Sequence, residues 1–366
     1  MRVLPYGEDG AYVELEVGAA GERAARTHAL AGALRAAFPG ADVVAGAGVV
    51  AVFGASEDAV RAAVTEAART TPTPAAASIH LIDVAYDGPD LDDVASQIGA
   101  TRAHVIELHS DRDYTVELVG FLPGFAYLAG LDPRLVVPRR PSPRPRVAGH
   151  SVAIAGDFTG IYPLASPGGW NLLGRSLGPP PFDPARAAPF LFAPGDRVRF
   201  RAVPSVSASA SAVVVAAEDV LAPNNLAPNR LEANRPTTDP ATPALVVARP
   251  PGIATVQDAG RRGWLGRGMP PSGPLDPGLF QATNRAVGNV VDAAAIELLG
   301  GALELVARGR IAVSIDGGSP RPLADGETLR LGEGEGAVRY LAVAGGIDVP
   351  EVIGARVLAL HQARGI

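Results

Sequence analysis

Two reactive residue types are missing from this chain. Its 366 residues include no cysteine, and all 32 basic residues are arginine. The lack of cysteine excludes thiol nucleophiles, disulfides and thiolate zinc ligands. The lack of lysine excludes a Schiff base, a lysine general base and the lysine of a phosphate-binding loop. Chemistry in this protein must therefore rest on carboxylates, amides, hydroxyls, histidine and arginine.

The chain also lacks the features of nucleic-acid-binding and membrane proteins. Its formal charge is −6 with a pI near 5.6, and no arginine-rich helix alternates with aromatic residues, which argues against nucleic-acid binding. No run of ~18 apolar residues occurs, and the N-terminus lacks the apolar core of a signal peptide. We therefore expect a cytoplasmic protein with small polar substrates or protein partners.

The pattern along the chain predicts an α+β protein that is mostly β. A hydrophobic content of 47% in a chain of this length can fill two or three cores. Short strands punctuated by Gly and Pro favour a closed or nearly closed barrel after a small first domain. The predicted segments are a small α+β domain (1–75), a β-barrel (76–204), a Ser/Ala/Pro-rich linker (205–243) and a second β-rich domain (244–366).

Two regions combine glycine, proline and polar or aromatic residues in short loops. The first comprises Gly120–Leu128 and Thr159–Arg175, and the second runs from Thr255 to Asn289. Glycine permits positive φ or close backbone approach, and proline fixes φ, so such loops hold one shape. Rigid loops of this kind commonly build binding or catalytic sites.

The first loop region carries a family resemblance. The runs Gly120-Phe-Leu-Pro-Gly-Phe-Ala-Tyr-Leu128, Pro138-Arg-Arg-Pro-Ser-Pro-Arg144 and Thr159-Gly-Ile-Tyr-Pro-Leu-Ala-Ser-Pro-Gly-Gly-Trp170 resemble the B component of bacterial ATP-dependent 5-oxoprolinase. The same family is known as allophanate hydrolase subunit 1 or as a sporulation-kinase inhibitor. The resemblance covers about the first 220 residues.

The second loop region resembles the C component of 5-oxoprolinase, also called allophanate hydrolase subunit 2. The similar runs are Thr255-Val-Gln-Asp258, Gly268-Met-Pro-Pro-Ser-Gly-Pro-Leu-Asp276 and Ala344-Gly-Gly-Ile-Asp-Val349. The whole chain is thus similar to a fusion of the B component with the C component. Because the C family continues well beyond its Ala-Gly-Gly-Ile-Asp-Val run, we expect the C-like part to be partial.

The resemblance implies a fold, an activity and a partner. It implies a cyclophilin-like β-barrel in the B-like half and a partial one in the C-like half. It implies assembly with a separate A component that couples ATP hydrolysis to opening 5-oxoproline into L-glutamate. Because the chain has no phosphate-loop sequence, we expect ATP to be bound by, or shared with, that partner.

Six residues in or near the first loop region are predicted to bind substrate: Arg144, Tyr162, Ser166, Trp170, Asn171 and Arg175. The guanidinium groups suit a carboxylate or a phosphate, and the aromatic rings can wall a pocket. The hydroxyl and the amide can donate to a carbonyl oxygen. Solvated arginines, ordinary packing and turn caps remain alternative roles for these residues.

The second loop region concentrates carboxylates and amides. Opening a lactam needs a proton acceptor and donors for the developing oxyanion. We predict catalytic roles for Asp258, Asp276 and Glu297, and substrate-binding roles for Gln257, Ser272, Asn284 and Asn289. Asp276, which precedes a proline, also fits a helix N-cap. Glu297 lies in an apolar run with helix-like spacing, an environment that favours a raised pKa.

Other functions stay open at this point. Related domains occur in biotin-dependent urea carboxylases, so a carboxyltransferase or amide-hydrolase type of domain acting on urea or allophanate is one alternative. A non-enzymatic inhibitor that binds a histidine kinase is another. His104 and His109 are five residues apart, a poor spacing for one helical face, and we predict no metal site.

Overall fold

The computed structural model describes residues 1–7, 9–16, 20–69, 77–110, 112–204, 243–249, 253–332, 337–349 and 358–359. The chain divides into two compact units. Unit 1 comprises Met1–Val220 together with Arg262–Pro270, and unit 2 comprises Leu221–Arg261 together with Pro271–Ile366. The predicted linker, 205–243, lies outside the described residues except for Pro243.

Unit 1 begins with a small α+β layer, in which two helices pack on a four-stranded sheet. Its elements are β1 Arg2–Tyr6, β2 Gly10–Glu14, α1 Ala20–Ala37, β3 Asp42–Ala45, β4 Val49–Phe53 and α2 Glu57–Ala67. The strands form an antiparallel sheet in the order β1-β2-β4-β3. Val13, Val50 and Val52 point from the sheet into a core that Leu34 of α1 and Val64 of α2 complete. Alternation along the strands therefore places one sheet face against the helices.

A seven-stranded closed barrel forms the larger part of unit 1. Its strands and helices, with an added two-stranded ribbon of β8 and β11, are β5 Ile79–Ala85, α3 Leu91–Gln97, α4 Arg102–Ser110, β6 Asp113–Val119, β7 Ala126–Ala129, β8 Arg144–Val147, β9 Ser151–Ala155, β10 Phe158–Ile161, β11 Ser166–Gly168, β12 Asn171–Ser176 and β13 Arg197–Val203. The barrel order is β10-β7-β6-β13-β5-β12-β9, in which only β13 and β5 pair in parallel. Closure leaves the barrel strands without a free edge.

A buried histidine lies in the barrel core. His109 Nε2 is 2.8 Å from Thr159 Oγ1, and its Nδ1 is 2.7 Å from Tyr86 Oη. The Thr159 hydroxyl donates to the carbonyl of Ala153 at 3.0 Å, so it accepts from Nε2–H, and Tyr86 donates to Nδ1. The ring is therefore held neutral, and burial lowers the pKa of His109 to about 3.

An ion pair joins the small layer to the barrel within unit 1. Glu117 on β6 is fully buried, and Arg23 on α1 donates to both of its carboxylate oxygens at 2.5 and 2.9 Å. His28 Nε2 lies 2.6 Å from the Glu117 carbonyl. The carboxylate is thus compensated by one guanidinium in bidentate geometry.

Unit 2 is β-rich, and its described strands form two sheets. Its elements are β14 Ala244–Arg249, β15 Ala254–Gln257, α5 Pro277–Ala286, β16 Ala295–Leu298, β17 Leu303–Arg308, β18 Ile311–Ile315, β19 Arg321–Leu323, β20 Thr328–Leu331, β21 Arg339–Val343 and β22 Leu358–Ala359. The sheet orders are β14-β17-β20 and β19-β18-β21-β16-β15-β22. Residues such as Val256, Leu305 and Val313 fill the core shared by these strands.

The predicted fold class is confirmed: the chain is α+β and mostly β, with a small α+β layer followed by a closed barrel. The helix-like interpretation of the run around Glu297 is wrong, because Ala295–Leu298 is a strand paired on both sides with β15 and β21. None of the helices in the described ranges is long and apolar enough to cross a membrane.

The buried ion pair generates a stability prediction. Arg23→Ala leaves the Glu117 charge buried and unpaired, which we expect to lower the free energy of unfolding by about 3–5 kcal/mol. Adding Glu117→Gln should restore much of the loss. Arg26→Ala, which removes an exposed pair with Glu22, should change stability by less than about 1 kcal/mol. Chemical denaturation checks this, and equal effects of Arg23→Ala and Arg26→Ala contradict it.

The buried histidine generates a pH prediction. Its pKa is about 3 in the folded protein against the ordinary 6.5, so below pH 6.5 the unfolded chain binds a proton that the folded protein does not. The stability contributed by His109 is therefore present above pH 6.5 and is lost as the pH falls towards 3.

Melting temperatures at pH 7 and pH 5 check this prediction. The decrease between the two pH values should be smaller in His109→Gln than in the unmodified protein. His104→Gln should keep the full decrease, because the His104 side chain is 43% exposed. An unchanged decrease in His109→Gln would show that another group carries the pH dependence.

Candidate functional site

Asp90 organises the first candidate region, in unit 1. Its Oδ1 accepts hydrogen bonds from Arg140 Nη1 at 2.7 Å and from Arg144 Nη2 at 2.6 Å. Its Oδ2 accepts from the backbone amide of Leu172 at 2.7 Å. Asp90 is 1% exposed, so one buried carboxylate fixes the arginine loop, defined as residues 138–146, against strand β12. Two guanidinium groups share this one carboxylate.

The two arginines predicted to bind an anion both have carboxylate partners. Arg144 is held by Asp90, although its Nη1 is buried without a hydrogen-bond partner among the described residues. Arg175 is about half exposed and lies 3.3 Å from Asp87. Binding of a substrate anion by either guanidinium would compete with these internal pairs, so their substrate-binding role stays a prediction.

The two predicted pocket aromatics are core residues in this structure. Tyr162 is 1% exposed and Trp170 5%, and both rings pack edge-on against Phe125 with centroids 5.3 Å apart. A Cβ at Gly168 would lie 2.3 Å from the Tyr162 hydroxyl, so only glycine fits there. Both rings thus pack beneath the loop, and their role as pocket walls stays a prediction.

The two predicted polar donors of this region differ in their bonding. Asn171 Nδ2 donates to the Pro138 carbonyl at 2.9 Å, which ties the arginine loop to β12. Ser166 is 9% exposed, and its hydroxyl has no partner within the described part of the chain. Asn171 is therefore occupied by the fold, whereas the Ser166 hydroxyl retains its bonding capacity.

The second candidate region, in unit 2, is built on three neighbouring strands. Glu297 on β16 is paired in register with Thr255 on β15 and with Tyr340 on β21. Gln257 follows Thr255 by two positions and therefore lies on the same face of β15; its Nε2 donates to Thr255 Oγ1 at 3.0 Å. The three strands thus present Gln257, Glu297 and Tyr340 as a row.

This row of side chains holds the Pro-Gly loop, defined as Pro271–Asp276. The amide of Gly273 donates to Gln257 Oε1 at 3.3 Å, that of Leu275 to Glu297 Oε2 at 2.8 Å, and that of Asp276 to Tyr340 Oη at 2.9 Å. Loop amides that lack backbone acceptors are therefore satisfied by side chains of the sheet. The structure brings Gln257, Ser272, Asp276 and Glu297 into one cluster.

Glu297 has one carboxylate oxygen engaged and one available. Tyr340 Oη donates to Glu297 Oε2 at 2.7 Å, and the Leu275 amide uses the same oxygen. No hydrogen bond reaches Oε1 from the described residues. Burial raises the pKa of Tyr340, with the charge of Glu297 adding to the effect, so the phenol remains a donor. Glu297 can therefore accept a proton at Oε1 while Tyr340 holds Oε2.

The other two predicted catalytic acids use an oxygen for local structure. Asp258 Oδ1 accepts from the Gly260 amide at 2.8 Å, which is an Asx-type turn. Asp276 Oδ1 accepts from the Leu279 amide at 2.9 Å, and the N-cap role predicted for Asp276 is confirmed. Of the three acids, Glu297 has the arrangement best suited to proton transfer.

The two asparagines predicted to bind substrate instead hold backbone segments. Asn284 is fully buried and donates to the carbonyls of Val291 and Ala293 at 3.4 and 2.8 Å. Asn289 donates to Asn284 Oδ1 at 3.1 Å and to the Val343 carbonyl at 2.8 Å. These amides already satisfy neighbouring polar groups, so the substrate-binding role of the two asparagines stays a prediction.

Three residues of these regions were not predicted as site residues. Asp90 and Tyr340 act through partners distant in sequence, which no local spacing reveals. Arg261 lies in the second loop region, which the sequence does single out, and it is 6% exposed beside Ser272.

Comparison with known families defines the class of protein. Residues 1–192 match the family described as "Carboxyltransferase domain, subdomain C and D", and residues 267–365 match "Carboxyltransferase domain, subdomain A and B". The first match covers more than half of the 366 residues. The chain belongs to the carboxyltransferase subdomain C and D family and continues into a segment similar to subdomain A and B.

Individual relatives agree with a fusion. The chain is 52% identical over 116 residues to the B component of 5-oxoprolinase from Escherichia coli O157:H7, which is 31% of this chain and 51% of that protein. It is 37% identical over 115 residues to the C component of 5-oxoprolinase from Escherichia coli K12, which is 27% of this chain and 37% of that protein. The chain thus spans about half the length of the B relative. The predicted resemblance to the B and C components is confirmed.

Two further comparisons extend this result. The crystal structure of TTHA0988 superposes with a TM-score of 0.77 and 36% identity, covering 95% of this chain and 70% of that one. Urea amidolyase of Lachancea kluyveri is 36% identical over 129 residues, which is 31% of this chain and 7% of that protein. A solved structure thus covers 95% of this chain.

The arginine loop generates a prediction. Asp90→Ala removes the carboxylate shared by Arg140 and Arg144 and should lower the free energy of unfolding by about 3–5 kcal/mol, because partly buried guanidinium groups lose their partner. Asp92→Ala, which removes an exposed pair with Arg102, should cost less than about 1 kcal/mol. Chemical denaturation of both variants compares the two losses, and a similar small loss in each would refute the organising role of Asp90.

Proposed function

We propose that this chain is a joined B and C component of ATP-dependent 5-oxoprolinase. It acts with a separate A component to open 5-oxoproline to L-glutamate. The observation that carries the proposal is that its two halves are similar to proteins named as the B and C components of this one enzyme. A hetero-oligomer follows from those names, and the substrate, the reaction and the A component are parts of the proposal.

The chemistry of lactam opening suits the unit 2 cluster. Water adds its hydroxyl to the lactam carbonyl carbon, the C–N bond breaks, and the ring nitrogen leaves with a proton. Glu297 Oε1 accepts the proton from the attacking water and returns it to the leaving nitrogen. Tyr340 keeps the carboxylate oriented through Oε2. The Ser272 hydroxyl on the Pro-Gly loop is placed to donate to the carbonyl oxygen.

ATP supplies the driving free energy in this proposal, and we assign its binding to the partner protein. The chain has no lysine and no phosphate-loop sequence. Arg140 and Arg144, the clustered cations of unit 1, are already held by Asp90. These observations support a nucleotide site that the partner provides or shares, while the chain's own groups serve the lactam.

A second candidate is action on urea or allophanate. It is favoured by the 36% identity to urea amidolyase, although the match covers 7% of that protein. Both candidates use an acid or base near an amide carbonyl, so the site alone fits either. The two candidate functions differ in the substrate that is turned over, which an activity assay measures.

The proposal predicts the behaviour of Glu297→Gln. This variant keeps the size and a hydrogen-bond acceptor but removes the base, so glutamate release from 5-oxoproline with the A component and ATP should fall by about 100-fold or more. Glu304→Gln, which alters a partly exposed pair with Arg330, should stay within about twofold of the unmodified chain.

The assay has contrasting outcomes. Full activity of Glu297→Gln would show that Glu297 is not the general base. Turnover of allophanate or urea with no turnover of 5-oxoproline would replace the first candidate with the second. Absence of turnover with all three substrates would contradict both.

A further inference from the structure

Arg261 is a buried cation at the edge of the unit 2 cluster. It follows β15 and is 6% exposed. Its backbone amide donates to the Pro271 carbonyl at 2.7 Å, which fixes its main chain against the start of the Pro-Gly loop. Its position is therefore set by backbone bonding, independently of what its side chain contacts.

The guanidinium of Arg261 is poorly satisfied. Its one side-chain hydrogen bond within the described ranges runs from Nη2 to Ser272 Oγ at 3.3 Å, which is long for a charged donor. Nε and Nη1 are buried and have no hydrogen-bond partner among the described residues. A buried guanidinium with unmet donors is strongly destabilising unless an acceptor is supplied. Burial lowers the pKa of Arg261, and the nearby charge of Asp258 opposes that shift.

The backbone segments on either side of Arg261 approach each other closely. A Cβ at Gly260 would lie 2.7 Å from the Pro271 carbonyl oxygen, and one at Gly273 would lie 3.0 Å from that of Ala259. The turn at 258–261 and the Pro-Gly loop therefore contact each other directly. Ser272, the one side chain bonded to the guanidinium in the described ranges, is only partly buried and has a positive φ of 57°.

We propose that Arg261 binds the carboxylate of a small anionic substrate. The carboxylate displaces Ser272 from Nη2 and gives the guanidinium the planar, two-oxygen acceptor that it lacks. Identification of the ligand as 5-oxoproline rests on the proposed function. The ligand class, a small carboxylate, rests on the unmet donors of Arg261.

This role makes an unusual prediction about stability. If the unmet donors serve a ligand, the free protein is strained by them, so Arg261→Met should raise the melting temperature without ligand, by about 2–8 °C. The same change should abolish ligand-dependent stabilisation. A purely structural arginine predicts the reverse, a lower melting temperature.

Ligand binding is measured by calorimetry on the whole chain, alone and with the A component. The probes are 5-oxoproline, allophanate and 2-pyrrolidone, the last of which has the lactam ring without the carboxylate. Arg261→Lys, which keeps the charge but not the planar fork, should raise the Kd of the carboxylate by about 10- to 100-fold. Arg285→Met, at an exposed position on α5, should leave the Kd unchanged, and 2-pyrrolidone should not bind.

Each outcome decides the proposal. A Kd that is unchanged in both Arg261→Met and Arg261→Lys overturns it, as does absence of saturable binding of either carboxylate. Equal binding of 2-pyrrolidone also overturns it. Binding of allophanate that depends on Arg261, without binding of 5-oxoproline, supports the role of Arg261 while contradicting 5-oxoprolinase activity.

Discussion

The constraint on which the unit 2 cluster depends is the need of buried backbone amides for acceptors. The Pro-Gly loop contains prolines and glycines and follows no regular ladder, so its amides must bond elsewhere. Gln257, Glu297 and Tyr340 supply those acceptors from adjacent strands. Because Glu297 uses only Oε2 for this purpose, one side chain both supports the loop and presents an oxygen for chemistry. Loop position and the orientation of the base are consequently coupled.

In unit 1, buried carboxylates are stabilised by guanidinium groups and a backbone amide. Asp90 receives two guanidinium groups and an amide, and Glu117 receives one bidentate guanidinium. Buried carboxylates of this kind are tolerated only when their partners are held in place. The Asp90 contacts fix loops that carry the resemblance to the B component. Substrate chemistry in our account belongs to unit 2. In unit 1, Ser166 carries the one buried hydroxyl without a hydrogen-bond partner among the described residues.

Local patterns predicted much of the fold. Short strands punctuated by Gly and Pro predicted the barrel, and the residues around Asp276 predicted a helix N-cap, because both patterns depend on neighbours in sequence. Partners distant in sequence were not predictable. Asp90 and Leu172 are 82 positions apart, and Tyr340 meets Glu297 only through strand pairing. The Glu297 run was too short and apolar for its spacing to separate helix from strand. The main-chain carbonyls that accept from the two asparagines could not be predicted from the local sequence.

The central claim is that this chain, with the A component, hydrolyses the lactam of 5-oxoproline. The most direct measurement is mass spectrometry of the product formed in oxygen-18-labelled water with ATP. Our account predicts glutamate with the label in its side-chain carboxylate, formed only when both the chain and the A component are present. No labelled glutamate from the complete mixture, or equal labelling when this chain is omitted, would contradict it.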